Sequence, residues 1–256
     1  MLDSAGLIAV MQEARRLTLV RSATLILQLK GRRILIDPML DDVGARPPVE
    51  NTANARRNPL VPLPFPIERI VSGLDAIFVT HLHRDHFDDG ARTQLPRGVP
   101  VFCQPEDEER LRQFGLRANA VNGAVAMGGI QVTRTGGQHG TGQVARALAP
   151  VSGFVFDDIY VAGDTIWCDE VADAIDTHRP TVAIVNGSGA RFLDSGPIVM
   201  TTGDIREVVA RVPTVVVVHL EAINHCVDSR DLVRHEVPQA LVPEDGETID
   251  LPLPAQ

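Results

Sequence analysis

Cysteine is scarce in this chain. Cys103, Cys168 and Cys226 are odd in number and far apart, which argues against a disulfide framework and suits a reducing compartment. Basic charge is also short: 24 Lys and Arg stand against 33 Asp and Glu, for a formal net charge of -9. Arg32-Arg33 and Arg56-Arg57 are only pairs, so no basic face is available to track a phosphate backbone, and nucleic acid is not expected as a partner. No stretch approaches the roughly 20 apolar residues needed to span a bilayer, so no membrane partner is expected either. The first residues, MLDSAGLIAVMQEARR, lack a basic start and soon reach Glu13, so they read as a short helix rather than a signal peptide. The expected location is the cytoplasm. A Gly-x-Ser-x-Gly elbow is missing, and no short repeat or low-complexity tract interrupts the chain.

What is present is a chain of 256 residues, 44% hydrophobic, long enough to bury a substantial core as one large domain or two fused half-domains. Leu25–Leu29 and Arg33–Ile36 read as a hairpin around Lys30-Gly31-Arg32. Residues 45–66 hold six prolines among asparagines and fit neither a helix nor a central strand. Their length points to a lid or binding loop, or to a disordered segment. Strands are then expected at 76–79, 99–102, 130–132, 153–156, 159–161, 182–185 and 215–218. A helix should open at Pro105, with acids in its first turn and Gly115 beyond its end. Thr201 and Asp204 predict a capping box. Residues 240–249 look like a final hairpin. Early hairpins followed by alternating strands and helices predict sheets carrying helices on their outer faces.

The strongest chemical signal is Thr80-His81-Leu82-His83-Arg84-Asp85-His86, directly after the strand at 76–79. Three of the eight histidines fall within six residues, with one carboxylate among them. In a strand, His81 and His83 would share a face, and Asp85 and His86 would lie just past its end, where the chain must turn. A single His-x-His would read as a solvated strand end; four ligand-type groups after a buried strand read as a metal site. Imidazole with carboxylate suits zinc, manganese or iron.

His81-Leu82-His83-Arg84-Asp85-His86 resembles the signature of the metallo-β-lactamase fold superfamily. Further pieces recur in order: Asp37 after the early hairpin, His139 in Gly136-Gly137-Gln138-His139-Gly140, Asp164 in Ala162-Gly163-Asp164-Thr165, and His219 after the strand at 215–218. The resemblance covers about residues 17 to 251. Asp37-Pro38-Met39 is similar to the branch that includes ascorbate-phosphate lactonase relatives. The resemblance implies an α/β (α+β) fold, a four-layer αββα sandwich of two similar halves. It implies a single domain over 1–256, with 1–16 as an N-terminal extension and 45–66 as a Pro-rich loop over the site. It implies two divalent metal ions, zinc first with manganese or iron as alternatives. His81, His83 and His139 would hold one, while Asp85, His86 and a last histidine would hold the other. Asp164 would bridge them, and Asp37 would orient ligands without binding metal.

The last ligand is His219 by position after the strand, with His225, six residues on, as the alternative; the one left over would bind substrate or shuttle a proton. Many relatives carry histidine where Ser22 stands. Cys168 and Trp167 read as packing residues, and His178 and His235 as surface residues. The implied chemistry is hydrolysis of a small ester-like substrate, a lactone or a phosphodiester, with Asp85 orienting the attacking water or taking its proton. The alternative is a non-catalytic metal-binding or sensing domain of the same fold. A small molecule is the expected partner, and a homo-oligomer is left open.

Overall fold

The computed structural model describes residues 15–148 and 150–253. The helix expected at the N-terminus lies outside them except for Arg15 and Arg16, and Arg16 opens a strand instead. Two sheets make up the body. The first has strand order β13-β1-β2-β3-β4-β5-β6: β13 is Thr248–Asp250, β1 Arg16–Arg21, β2 Thr24–Leu29, β3 Arg32–Ile36, β4 Ala76–Val79, β5 Pro100–Cys103 and β6 Arg117–Ala120. The second has order β12-β11-β10-β9-β8-β7: β12 is Thr214–Val218, β11 Val182–Asn186, β10 Ile159–Val161, β9 Gly153–Phe156, β8 Ile130–Thr135 and β7 Ala124–Met127. The predicted hairpin is β2 and β3, paired from Leu25↔Ile36 to Leu29↔Arg32.

Alternation decides how the sheets stack. Leu25, Leu27, Ile34, Ile36 and Phe78 point inward from the first sheet and meet Phe154, Phe156, Ile159 and Ile184 of the second in one buried cluster. Phe78 packs edge-on to Phe154 and Phe156, with ring centroids 5.2 and 4.8 Å apart. The opposite residues, Ile26, Leu35, Ile77 and Val79, face an outer cluster that includes Ile70, Ala91 and Leu111 from helices at Ile67–Val71, Asp89–Gln94 and Pro105–Gln113. Tyr160, Ala183, Val185, Val215 and Val217 do the same on the far side, against helices at Asp169–His178, Thr202–Val209 and Arg230–Glu236. The layers therefore run αββα. β4 and β11 are buried along their whole length because both faces are covered.

The capping box forms: Thr201 Oγ1 accepts from Asp204 N–H, and Asp204 Oδ2 accepts from Thr201 N–H at 2.9 Å. The final hairpin does not. Leu241 pairs instead with the outer edge of the second sheet, donating to Val215 O and accepting from Val217 N–H, both at 2.8 Å. β13 then pairs antiparallel with β1 in the first sheet. Both sheets leave an edge unpaired at this side, and the segment covers one after the other. Strands β6 and β7 and a short helix at Gly142–Ala147 carry too little apolar pattern to be read from sequence. No helix among the described residues is long and apolar enough to cross a membrane.

Candidate metal centre

β3, β4 and β5 run parallel, as do β10, β11 and β12, and in both sheets the segments that follow these strands meet at one edge. Asp37 follows β3, and Thr80 to His86 follow β4. His139 follows β8, Asp164 follows β10, Ser188 follows β11 and His219 follows β12. β4 stops at Val79 because Asp37 captures the next donor. Its Oδ1 accepts from Thr80 N–H and its Oδ2 from the Thr80 hydroxyl, each at 2.7 Å. His81 and His83 thus leave the strand instead of sharing a strand face as alternation predicted. They still converge, with His81 Nε2 2.9 Å from His83 Nδ1. The backbone N–H groups of His86 and Phe87 then donate to His83 O at 2.9 and 2.8 Å, and this turn brings Asp85 and His86 inward.

Two groups of donors result. One is His81, His83 and His139; the other is Asp85, His86, Asp164 and His219. Within each group the ligand atoms lie within 4.8 Å of one another. Asp164 stands between them. Its Oδ2 is 3.7 Å from His139 Nε2 and 4.0 Å from His81 Nε2. Its Oδ1 is 3.2 Å from His86 Nε2 and 3.8 Å from His219 Nε2. Gly163 allows this approach: its φ is +71°, and a Cβ there would lie 2.6 Å from Ser152 O.

Three imidazoles are anchored through Nδ1, which turns Nε2 toward the centre. His86 Nδ1 lies 2.7 Å from Asp37 Oδ2, His139 Nδ1 2.7 Å from Ile198 O, and His219 Nδ1 3.2 Å from Ser188 Oγ. Asn186 Nδ2 donates to Asp164 Oδ1 at 2.6 Å. Among the described residues, His86 Nε2 and His219 Nε2 are buried without a hydrogen-bond partner. Orphaned imidazole nitrogens around a shared carboxylate, with no thiolate in the set, fit divalent zinc, manganese or iron.

The electrostatics agree with that fit. Burial would lower the His86 imidazole, but the Asp164 and Asp37 carboxylates outweigh it and raise the group to about 10. His219 is likewise carried well above its usual value, against burial, chiefly by Asp164. Burial would raise Asp164, yet His86 and His219 hold it well below the ordinary carboxylate range. Asp85 is also held low against burial, by the His219 imidazole, whose Nε2 is 3.4 Å from Asp85 Oδ2, and by His86. Burial keeps His81 and His83 neutral. Protons on His86 and His219 thus balance buried carboxylates, and a divalent cation would replace those protons.

His219 is the histidine placed in the second group. His225 stands apart, with its Nε2 3.5 Å from Asp85 Oδ2 and both ring nitrogens unpartnered among the described residues. Burial pushes its imidazole down to about 4. It lines a cavity of about 230 Å³ that reaches His83, Asp85, His139 and Asp164 on one side, with Val49, Phe192, Ile198 and Ile223 as its apolar walls.

The Pro-rich segment 45–66 is ordered against this cavity, pinned by Asn224. Asn224 Oδ1 accepts from Val49 N–H at 2.9 Å and Asn58 Nδ2 at 2.7 Å, and Asn224 Nδ2 donates to Thr52 Oγ1 at 2.6 Å and Asn54 O at 2.8 Å. Farther along, Leu193 N–H donates to Asn51 O at 2.8 Å, so the segment also meets the loop after β11. Trp167 and Cys168 pack against the outer cluster of the second sheet, and His235 is exposed. His178 is half-buried at the end of its helix. Sequence reasoning missed Asn186, Ser188 and Arg46. The first two sit at the end of β11, beside the strand that delivers Asp164, and that placement was the available signal.

The family model described as a beta-lactamase superfamily domain matches residues 32–220. UPF0173 protein YddR of Bacillus subtilis is 37% identical over 249 residues, covering 91% of this chain and 98% of its own length. The crystal structure of a "possible metal-dependent hydrolase" from Veillonella parvula superposes with a TM-score of 0.89 at 34% identity, over 93% of this chain and 100% of that one. The isothiocyanate hydrolase from Delia radicum gut bacteria superposes with a TM-score of 0.85 at 32% identity, over 91% and 98%. None of the three is named a lactonase. The chain belongs to the metallo-β-lactamase superfamily and, within it, to the UPF0173 group of metal-dependent hydrolases.

Proposed function

We propose that this chain hydrolyses a small uncharged electrophile with an apolar tail at a two-metal site. One observation carries the reading: Asp164 turns one carboxylate oxygen to each donor group, beneath a cavity with apolar walls. His81, His83 and His139 would hold one divalent cation, and Asp85, His86 and His219 the other, with Asp164 bridging. Zinc is the first expectation, manganese or iron the alternatives. Bound there, the metals would acidify a water and offset the negative charge that develops on the attacked group.

The chain's own residues do the rest. Asp37, Ser188 and the Ile198 carbonyl fix the rings of His86, His219 and His139 so that Nε2 faces inward. Asp85, which lines the cavity, orients the attacking water, takes its proton and returns it to the leaving group. The apolar walls exclude bulk water and hold the tail.

Two substrate classes fit: a lactone, and an isothiocyanate of the kind named for the gut-bacterial relative. With a lactone, water adds to the acyl carbon, the ring C–O bond breaks, and the ring oxygen keeps a proton. With an isothiocyanate, water adds across C=N, the C–N bond then breaks, and amine and carbonyl sulfide leave. A phosphodiester fits less well. Arg46 Nε is already 3.0 Å from Asp41, and Arg84 is 3.6 Å from Asp89, so the wall offers no uncommitted cation for the anion. A non-catalytic sensing domain would close its site with protein, whereas this cavity reaches Asp85, His139 and Asp164.

The test is metal analysis with a screen of lactones, isothiocyanates and phosphodiesters. Chelation should abolish activity, and zinc, manganese or iron should restore it. Full activity in a metal-free sample would end this reading.

A further inference from the structure

We propose that Arg46 is the specificity-determining residue of this pocket, and that it binds a neutral hydrogen-bond acceptor in the substrate's tail. The inference rests on the hydrolytic reading above and narrows its substrate class.

Arg46 is not a loose loop arginine. Its N–H donates to Asn58 O at 2.8 Å, and its carbonyl accepts from Asn58 N–H at 3.0 Å. The Asn58 side chain is in turn locked to Asn224, accepting from its N–H at 2.9 Å and donating to its Oδ1 at 2.7 Å. The backbone of Arg46 is thereby fixed to the segment that carries His219 and His225. Its side chain lines the cavity and is only 10% exposed.

The donors of this guanidinium are under-used. Arginine carries five N–H donors and never gives up its charge in a protein. Nε and one terminal nitrogen of Arg46 are buried without a hydrogen-bond partner among the described residues. Asp41 Oδ2 is 3.0 Å from Nε but lies off the hydrogen-bonding direction, and it too is unpartnered. The other Asp41 oxygen accepts from Gly90 N–H at 2.8 Å. Charge is therefore balanced while hydrogen bonds are not. That combination selects among ligands. An anion would face the Asp41 carboxylate across the guanidinium, whereas a carbonyl, ether or sulfoxide oxygen could accept without repulsion from Nη1, which makes no hydrogen bond among the described residues and, unlike Nε and the other terminal nitrogen, is not sealed from the cavity. Arg84, the other arginine in the wall, is exposed and shares its charge with Asp89.

The cavity, about 230 Å³, leaves room beside the donor clusters for a tail beyond the reacting head group.

The test compares n-hexyl isothiocyanate with 4-methoxybutyl isothiocyanate, an isostere in which one methylene becomes an ether oxygen. The metal-loaded wild-type protein should favour the ether substrate about tenfold in kcat/KM, largely through KM. In Arg46→Lys, which keeps the charge opposite Asp41 but loses the planar fork, that ratio should fall toward one with bound metal unchanged. The double variant Arg46→Met with Asp41→Asn leaves no orphan carboxylate and should show the same loss. A ratio that stays at the wild-type value in both variants, or a wild type that shows no preference, overturns the assignment. Calorimetric binding of the inert nitriles bearing the same two tails separates this inference from the hydrolytic one. If neither isothiocyanate is hydrolysed but the nitriles show an ether preference that needs Arg46, the substrate reading above fails and the Arg46 assignment stands. If the nitriles show no such preference, Arg46 is not the recognition group.

Discussion

Replacing Asp37 by asparagine tests the centre at one atom. Asn is nearly isosteric, and its remaining oxygen can still accept from Thr80 N–H. The amide nitrogen, placed where Oδ2 stood, would face His86 Nδ1 at about the present 2.7 Å. An amide nitrogen donates, so Nδ1 must accept, and the imidazole proton moves to Nε2. Nε2 is the nitrogen directed at Asp164, 3.2 Å away, and a proton there blocks coordination. Loss of such an orienting partner costs about 10–100-fold in metal affinity. That corresponds to about 1.4–2.8 kcal/mol. The fold should lose about 2 kcal/mol more, since charge-assisted hydrogen bonds become neutral ones in a fully buried place. The effect should fall on the Asp85, His86, Asp164 and His219 group. His81 is linked to Asp37 only through the Thr80 hydroxyl, 3.1 Å from its Nδ1. Elemental analysis with a chelator-competition titration should show one site near wild-type affinity and one weakened. Two sites of wild-type affinity would refute the tautomer argument, and so would equal weakening of both.

Two further outcomes follow from the same geometry. His83 is only partly buried, so His83→Ala should remove metal from the first group while lowering stability by no more than about 1 kcal/mol; unchanged metal content would count against the ligand assignment. The pH response depends on loading. His86 and His219 are raised, so in metal-free protein their stabilisation is complete below about 6.5; that of His86 fades as pH climbs through about 10, and that of His219 fades well above the ordinary imidazole range. Asp85 and Asp164 are held low, so theirs is present above about 3.9 and fades in stronger acid. The gap in Tm between loaded and chelated protein should therefore widen from pH 6 to pH 9, as the proton-dependent stabilisation of the metal-free form fades while that supplied by the cation grows. A gap that narrows over that range contradicts the linkage.

Strand ends were legible because burial and chemistry alternate abruptly there. Val79 to His86 passes from a fully covered strand to ligand-type side chains within a few residues, and β10 to Asp164 and β12 to His219 repeat the change. What stayed hidden has physical causes. The end of β4 is set by Asp37, 43 residues away in sequence, so the strand geometry first expected for His81 and His83 could not be corrected locally. Residues 240–249 have hairpin composition, but two open sheet edges compete for them and win. The Pro-rich segment could be recognised as irregular, while its order could not, because that order comes from Asn224, an ordinary residue in a stretch read for its histidines. Arg46 was invisible for a related reason: its own partners, Asp41 and Asn58, are near in sequence, but Asn58 is held by Asn224, 166 residues on.

Each donor group draws from both sheets. His81, His83, Asp85 and His86 belong to the first half of the chain; His139, Asp164 and His219 belong to the second. A cation in either group would therefore act as a rivet between two layers whose interior adheres through non-directional apolar contact, with only a few hydrogen bonds and ion pairs crossing at its margins. Loading would then be felt as resistance to shear between the sheets, far from the cavity. Protection of the inner strands against hydrogen exchange would become a gauge of occupancy.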